Sequence, residues 1–268
     1  MVSSTRHNAA PATRPGSLRR TDIWIASAAT LSIAALAWLY LILLAEKMQS
    51  GHDASMAAMS RIEPWTPLDF LLTFVMWAVM MVAMMLPTAN RAVLIYARVA
   101  RQFATRGSSL AGTTWFVAGY VLVWTAFSLG ATALQAGLNG LGLLSPMMAS
   151  ASPWFGVALL LAAGGYQLTP WKDACLKHCQ SPAEYLAGKF KPGVRGAIGL
   201  GVHHGSYCLG CCWVLMGLLF LGGVMNLLWI AMIMLFVLLE KLAPTGWRIR
   251  NVSGWLMISS AAAYFMMY

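Results

Sequence analysis

Apolar runs of membrane-crossing length alternate along this chain with short basic clusters. A hydrocarbon core of about 30 Å needs roughly 20 apolar residues in helix. Backbone groups in lipid must pair within their own segment, so each long run predicts a helix. Residues 23–45 make one span and 70–90 a second, expected to close near Pro87. Residues 107–171 carry no Asp, Glu, Lys, Arg or His and weaken from Asn139-Gly140 through Pro146 to Pro153, which predicts spans over about 111–137 and 153–170. Residues 196–239 break at Gly222-Gly223 into spans near 201–221 and 224–241, and 251–268 form a short last one. The expectation is an all-α, polytopic membrane helix bundle of about seven transmembrane helices.

The basic residues set an orientation. Lys and Arg number four in the tail, two in the next connection, then four, none, five, none, three and none. Cytoplasmic segments carry the excess of Lys and Arg, so the alternation predicts an N-terminus inside and a C-terminus outside. The net charge of +10 is then a topology signal, and no nucleic-acid partner is needed to account for it. Composition agrees. With 59% hydrophobic and 10% charged residues, the chain falls far below the roughly 25% charge of soluble domains. That excludes a cytosolic enzyme, a nucleic-acid-binding domain and a disordered chain. Residues 1–20, rich in Arg, Ser, Thr, Ala and Pro, read as a disordered basic cytoplasmic tail. Residues 21–268 read as one transmembrane domain with a Cys/His-containing cytoplasmic loop at about 171–200. The predicted location is the cell inner membrane, multi-pass, with lipid as the surrounding partner.

All five cysteines, Cys175, Cys179, Cys208, Cys211 and Cys212, fall within 38 residues. The topology places them at the inner face. In a bacterial-type plasma membrane that side is reducing, which favours metal or redox roles over structural disulfides. Thr169-Pro170 reads as an N-cap followed by proline at the first helical position, starting a short helix to about Gln180. Ser181-Pro182 restarts a second, with Glu184 at the capping-box position. On the first, Cys175, His178 and Cys179 share one face. In the fifth span His204, Cys208 and Cys211 stand at i, i+4, i+7, within roughly a 60° arc; Cys212 flanks it and His203 lies one step off. Facing each other, the two stripes form a candidate site for a soft or borderline ion, Cu(I) first and Zn second. Lys172, Lys177 and Lys189 are expected to favour thiolate. A single buried cysteine in a membrane helix is ordinarily a small apolar filler; five cysteines and three histidines converging are less easily read that way.

A thioether strip points the same way. In the second span Met76, Met80 and Met84 repeat at i, i+4, i+8, and Met81 and Met85 add a second row. Thioethers bind Cu(I) and are poor Zn ligands. The competing reading is packing, since methionine fills gaps between helices and the chain has 18 of them. His52, Met56 and Met59 on the outer side are a candidate way in. Gly119, Gly130, Gly164, Gly165 and Gly217 are expected at close helix contacts. Glu240, at the inner end of the sixth span, is expected to pair with Lys241 or to serve as a ligand. No Ser-His-Asp order, P-loop or dinucleotide fingerprint is present, so an enzyme is not the favoured reading and no catalytic residue is assigned.

Three segments, MMVAMMLP, GGYQLTPWKDACLKHC and GSYCLGCCWVLM, resemble an uncharacterised bacterial family of predicted metal-binding integral membrane proteins. The resemblance spans roughly 70–265. It implies metal binding at Cys175, Cys179, Cys208, Cys211 and Cys212. The resulting expectation is a protein that stores, delivers or passes Cu(I), with a metallochaperone or metalloprotein client as partner and an oligomer compatible with the pattern. The alternatives are a membrane thiol–disulfide relay and a structural subunit of a larger membrane complex.

Overall fold

The computed structural model describes residues 20–50, 65–103, 109–145, 148–243 and 246–267. The tail and the set His52, Met56 and Met59 lie outside the described residues, apart from Arg20. The described chain is all-α: α1 (Arg20–Ser50), α2 (Pro67–Phe103), α3 (Ser109–Gly140), α4 (Pro153–Gln167), α5 (Pro170–Gln180), α6 (Pro182–Gly188), α7 (Val194–Gly217), α8 (Leu219–Gly222), α9 (Leu227–Leu242) and α10 (Gly246–Met267).

Among the described residues four helical stretches are long and apolar enough to cross a membrane: Ile23–Lys47, Pro67–Gln102, Gly112–Gly140 and Val194–Gly222. With 15 and 16 residues, α4 and α9 rise only about 22–24 Å at 1.5 Å per residue. α10 is longer, but Arg248, Arg250 and Asn251 stand near its start.

The expected stop at Pro87 does not occur. α2 continues through it to Phe103. Proline removes one backbone donor, and buried helices tolerate this when neighbours re-satisfy the freed groups. The carbonyl that Pro87 leaves without its helical donor is that of Ala83; two residues on, the Thr88 hydroxyl and the Tyr120 hydroxyl from α3 both donate to the Met85 carbonyl, at 2.8 and 3.1 Å, and tie this turn to α3. Other local signals act as read. The Thr169 side chain accepts from the Lys172 N–H, with Pro170 at the first position of α5. Ser181 separates α5 from α6 but makes no side-chain cap bond, so the capping box with Glu184 does not form. Gly223, at φ 93°, ends α8 in a conformation that favours glycine.

Close helix contact is concentrated on α3 and α7. A Cβ at Gly119 would stand 2.3 Å from the Ile198 carbonyl oxygen, and one at Gly201 2.0 Å from that of Phe116. The two backbones therefore touch, and only glycine permits it. Gly164 similarly meets α10 at the Gly254 carbonyl. Gly130 and Gly165 face open space and Gly217 makes only an ordinary contact, so these three do not have the role expected of them.

Among the described residues the exterior is strongly apolar, and the largely apolar interior also holds several polar and charged side chains. Leu36, Leu72, Leu122, Leu228, Trp255 and Leu256 are more than half exposed, while Gln135, Gln167, Lys172, His204, Glu240 and Lys241 are buried. A water-soluble protein rarely exposes so much contiguous apolar surface. Most of the interior is one core, and its centre holds Met80, Met84, Cys208, Cys211 and Cys212.

Candidate metal centre

The short helix α5 lies against α7 and brings the two sulfur-bearing stripes together. Cys179, Cys208, Cys211 and Cys212 are buried and Cys175 is half-buried; all five are free thiols. The Cys179 and Cys211 sulfurs are 4.0 Å apart. With metal–sulfur bonds of about 2.3 Å, two thiolates on one ion stand about 3.8 Å apart in tetrahedral geometry and about 4.6 Å apart when opposed. The observed separation falls between these. Within α7, the Cys211 and Cys212 thiols donate to the Cys208 carbonyl at 3.1 and 3.0 Å. Gly210 makes room for Cys175, whose Sγ would be 2.8 Å from a Cβ at that position. Tyr166 on α4 donates its hydroxyl to the Gly210 carbonyl. Even so, among the described residues no group of three or more His, Cys, Asp or Glu side chains is arranged to hold a metal ion.

Cys208 is the most heavily partnered thiol. Its sulfur is 3.0 Å from the Tyr120 hydroxyl and 3.0 Å from the Lys241 ammonium. Lys241 also donates to the Thr88 hydroxyl at 2.9 Å. It has no carboxylate partner among the described residues. Sequence spacing gave no reason to single out Tyr120, Thr88 or Lys241 as neighbours of a thiol, since they lie 88, 120 and 33 positions from Cys208.

The lysines expected to act on the thiols are occupied elsewhere. Lys172 forms a buried ion pair with Glu240 at 2.8 Å, Lys177 pairs with Asp173, and Lys189 lies 3.3 Å from His203. This also corrects the expected pairing of Glu240 with Lys241. Successive helical side chains diverge by about 100°, so the two point to different neighbours. The α5 thiols are shifted opposite to expectation. Hydrogen bonding with Cys208 and Cys211, followed by burial, holds the Cys179 thiol well above its ordinary range. Burial and then Cys211 raise that of Cys175.

The histidines divide into two sets. His204 is buried against Tyr120 and Phe116, and its Nδ1 has no hydrogen-bond partner among the described residues. It shares with Cys179, Lys241, Thr88 and Arg91 the wall of a void of ≈ 10 Å³, roughly the room that one water molecule needs. His178 and His203 are not brought to the sulfurs. His178 bonds the Ala174 carbonyl and stacks on Tyr207 with ring centroids 4.0 Å apart. His203 stacks on Tyr185 at 5.0 Å. Met80, Met81, Met84 and Met85 are fully buried and Met76 nearly so. The methionine stripe therefore turns into the same core as the cysteines.

The family model described as PpoB2, copper chaperone, matches residues 74–264. No curated protein and no solved structure matches the chain. The match covers α3 to α9 entire, nearly all of α10 and most of α2, including every cysteine and the methionine stripe. The chain belongs to this family.

Proposed function

We propose that this member of the PpoB2 copper chaperone family takes Cu(I) as cargo on the buried thiols of α5 and α7 and passes it to a metalloprotein client. The observation that carries the reading is the meeting of Cys179 with Cys211 at 4.0 Å, with Cys208 and Cys212 in the same core. Thiolates and thioethers select Cu(I) over harder ions. A thiolate at Cys208 balances the Lys241 ammonium, which otherwise stands buried without an anion. Closing the ligand set then needs only small movements of side chains already in contact. Cys179 is the α5 ligand, Cys208, Cys211 and Cys212 are those of α7, and Cys175 and His204 stand at the margin. His178 on α5 and His203 on α7 are half-buried against Tyr207 and Tyr185, away from the thiols. Met80, Met81, Met84 and Met85 lead toward the thiols from the outer side.

The apolar exterior and the four membrane-length helices support an integral membrane protein. Counting α4, α9 and α10 as further crossings gives seven spans. The distribution of Lys and Arg puts the thiols at the inner face of the inner membrane, the N-terminus inside and the C-terminus outside.

Metal analysis of the full-length protein, purified anaerobically after copper loading, tests the reading. Stoichiometric copper is expected, and it is lost in the Cys208→Ser/Cys211→Ser/Cys212→Ser variant. Copper-free wild-type protein, or copper that survives the triple substitution, overturns it. Free-thiol counting separates out a thiol–disulfide relay, in which two thiols would disappear reversibly on oxidation without metal.

A further inference from the structure

The loop after α6 and the first three turns of α7 line a cleft of ≈ 620 Å³ that the copper site does not use. Lys189, Lys191, Arg195 and His203 supply its polar wall, and Phe190 and Leu200 its apolar one. No carboxylate lines it among the described residues. Lys191 and Arg195 are exposed and have no ion-pair or hydrogen-bond partner there, so their charge is available to a ligand. The cleft is built by a close approach. A Cβ at Gly196 would stand 2.1 Å from the Lys191 carbonyl oxygen, so this glycine lets the Lys191 segment fold onto the start of α7, beside Arg195. His203 contributes an imidazole whose Nδ1 is buried without a partner, and its Nε2 lies 3.3 Å from the Lys189 ammonium.

We propose that this cleft binds the phosphate group of an anionic glycerophospholipid. Several cations converging without a carboxylate recognise a phosphate oxyanion, and basic pockets beside membrane helices bind such headgroups. The volume is that of a small-molecule pocket, typically about 300–1,000 Å³, and far exceeds what a bare phosphate needs. Phe190 and Leu200 suit the glycerol and the first methylenes of the chains. The cleft also opens where the membrane-length stretch Val194–Gly222 begins, which is headgroup depth. The proposal rests on the membrane reading of α7 and is independent of copper.

The test is native mass spectrometry of the full-length protein in neutral detergent, with dioleoyl phosphatidylglycerol, dioleoyl phosphatidylcholine or inorganic phosphate added. Retention of phosphatidylglycerol over phosphatidylcholine by about tenfold is expected from the charges. The Lys191→Glu/Arg195→Glu variant abolishes that preference. Gly199→Trp, whose Cβ enters open space, fills the cleft with every charge intact and abolishes retention too. Copper content stays at the wild-type level in both, which separates failure here from failure of the copper reading. Should Gly199→Trp fail to fold, the charge variant alone decides. Displacement of phosphatidylglycerol by inorganic phosphate supports the oxyanion site and makes soluble phosphate a second source. Equal retention of the two lipids, or undiminished retention by the charge variant, overturns the proposal.

Discussion

Glu240 and Lys241 are consecutive on α9, yet they end in two different kinds of polar interior. Glu240 enters a charge-paired set: Lys172 at 2.8 Å, Gln167 at 3.0 Å through the other carboxylate oxygen, and Ser253 beyond Gln167. Gln180 bonds its backbone carbonyl. Charge is balanced there, and the set ties α4, α5, α9 and α10 together. Lys241 enters an open one, donating to a hydroxyl and a thiol with no carboxylate beside it. A buried charge paired with its counter-ion serves as a clasp. A buried cation that meets a thiol and a hydroxyl and no carboxylate is what the copper site proposed above would use, its charge balanced once the thiol ionises.

The largest expected effect comes from breaking the clasp. Glu240→Gln leaves the Lys172 ammonium buried without its anion and costs about 3–5 kcal/mol, read by denaturation in detergent. Lys172→Met/Glu240→Leu recovers most of that loss, because an apolar replacement of both partners needs no desolvation. Lys241→Met is the contrasting substitution. Cys208 keeps Tyr120 and Thr88 keeps the Met85 carbonyl, so stability falls by only about 1 kcal/mol while copper retention drops sharply. Equal destabilisation by Glu240→Gln and Lys241→Met would erase the distinction between the two lysines.

Smaller effects sharpen it. Met80→Leu/Met84→Leu conserves volume and is expected to cost less than about 1.5 kcal/mol, with slower copper loading measured by stopped-flow transfer from a Cu(I) donor. An unchanged loading rate would make the stripe packing alone. Gly210→Ala is the mildest. Its methyl displaces the Cys175 sulfur, the free end of a side chain, so stability changes by roughly 0.5 kcal/mol. Maleimide labelling of Cys175 accelerates, and copper content stays unchanged if that residue stands at the margin of the site.

Much of this was legible in the residues, for identifiable reasons. The break at Gly222-Gly223 and the cap at Thr169-Pro170 are local conformational effects, and the structure places both where they were read. That Cys175 and Cys179 share one face of α5 followed from helical spacing; that this face meets α7 did not. Pro87 misled because it removes a single backbone donor from a long helix that is held by packing against α1 and α3. His203 and His178 misled because an aromatic surface competes with sulfur for an imidazole. Tyr185 and Tyr207, on the two helices that follow α5 in the chain, supply that surface.

Helix positions, the stripe of methionines and the shared face of the cysteines within each of α5 and α7 depend on apolar period and on spacing within one segment. The residues alone determine these, because burial of apolar surface and backbone pairing act over a few turns. Which lysine meets which anion, and which histidine reaches the thiols, depends on how α3, α5, α7 and α9 pack. Those contacts join residues as far apart as Thr88 and Lys241. Their energies are charge and hydrogen-bond terms that fall off within a few ångströms, so only the assembled bundle decides them.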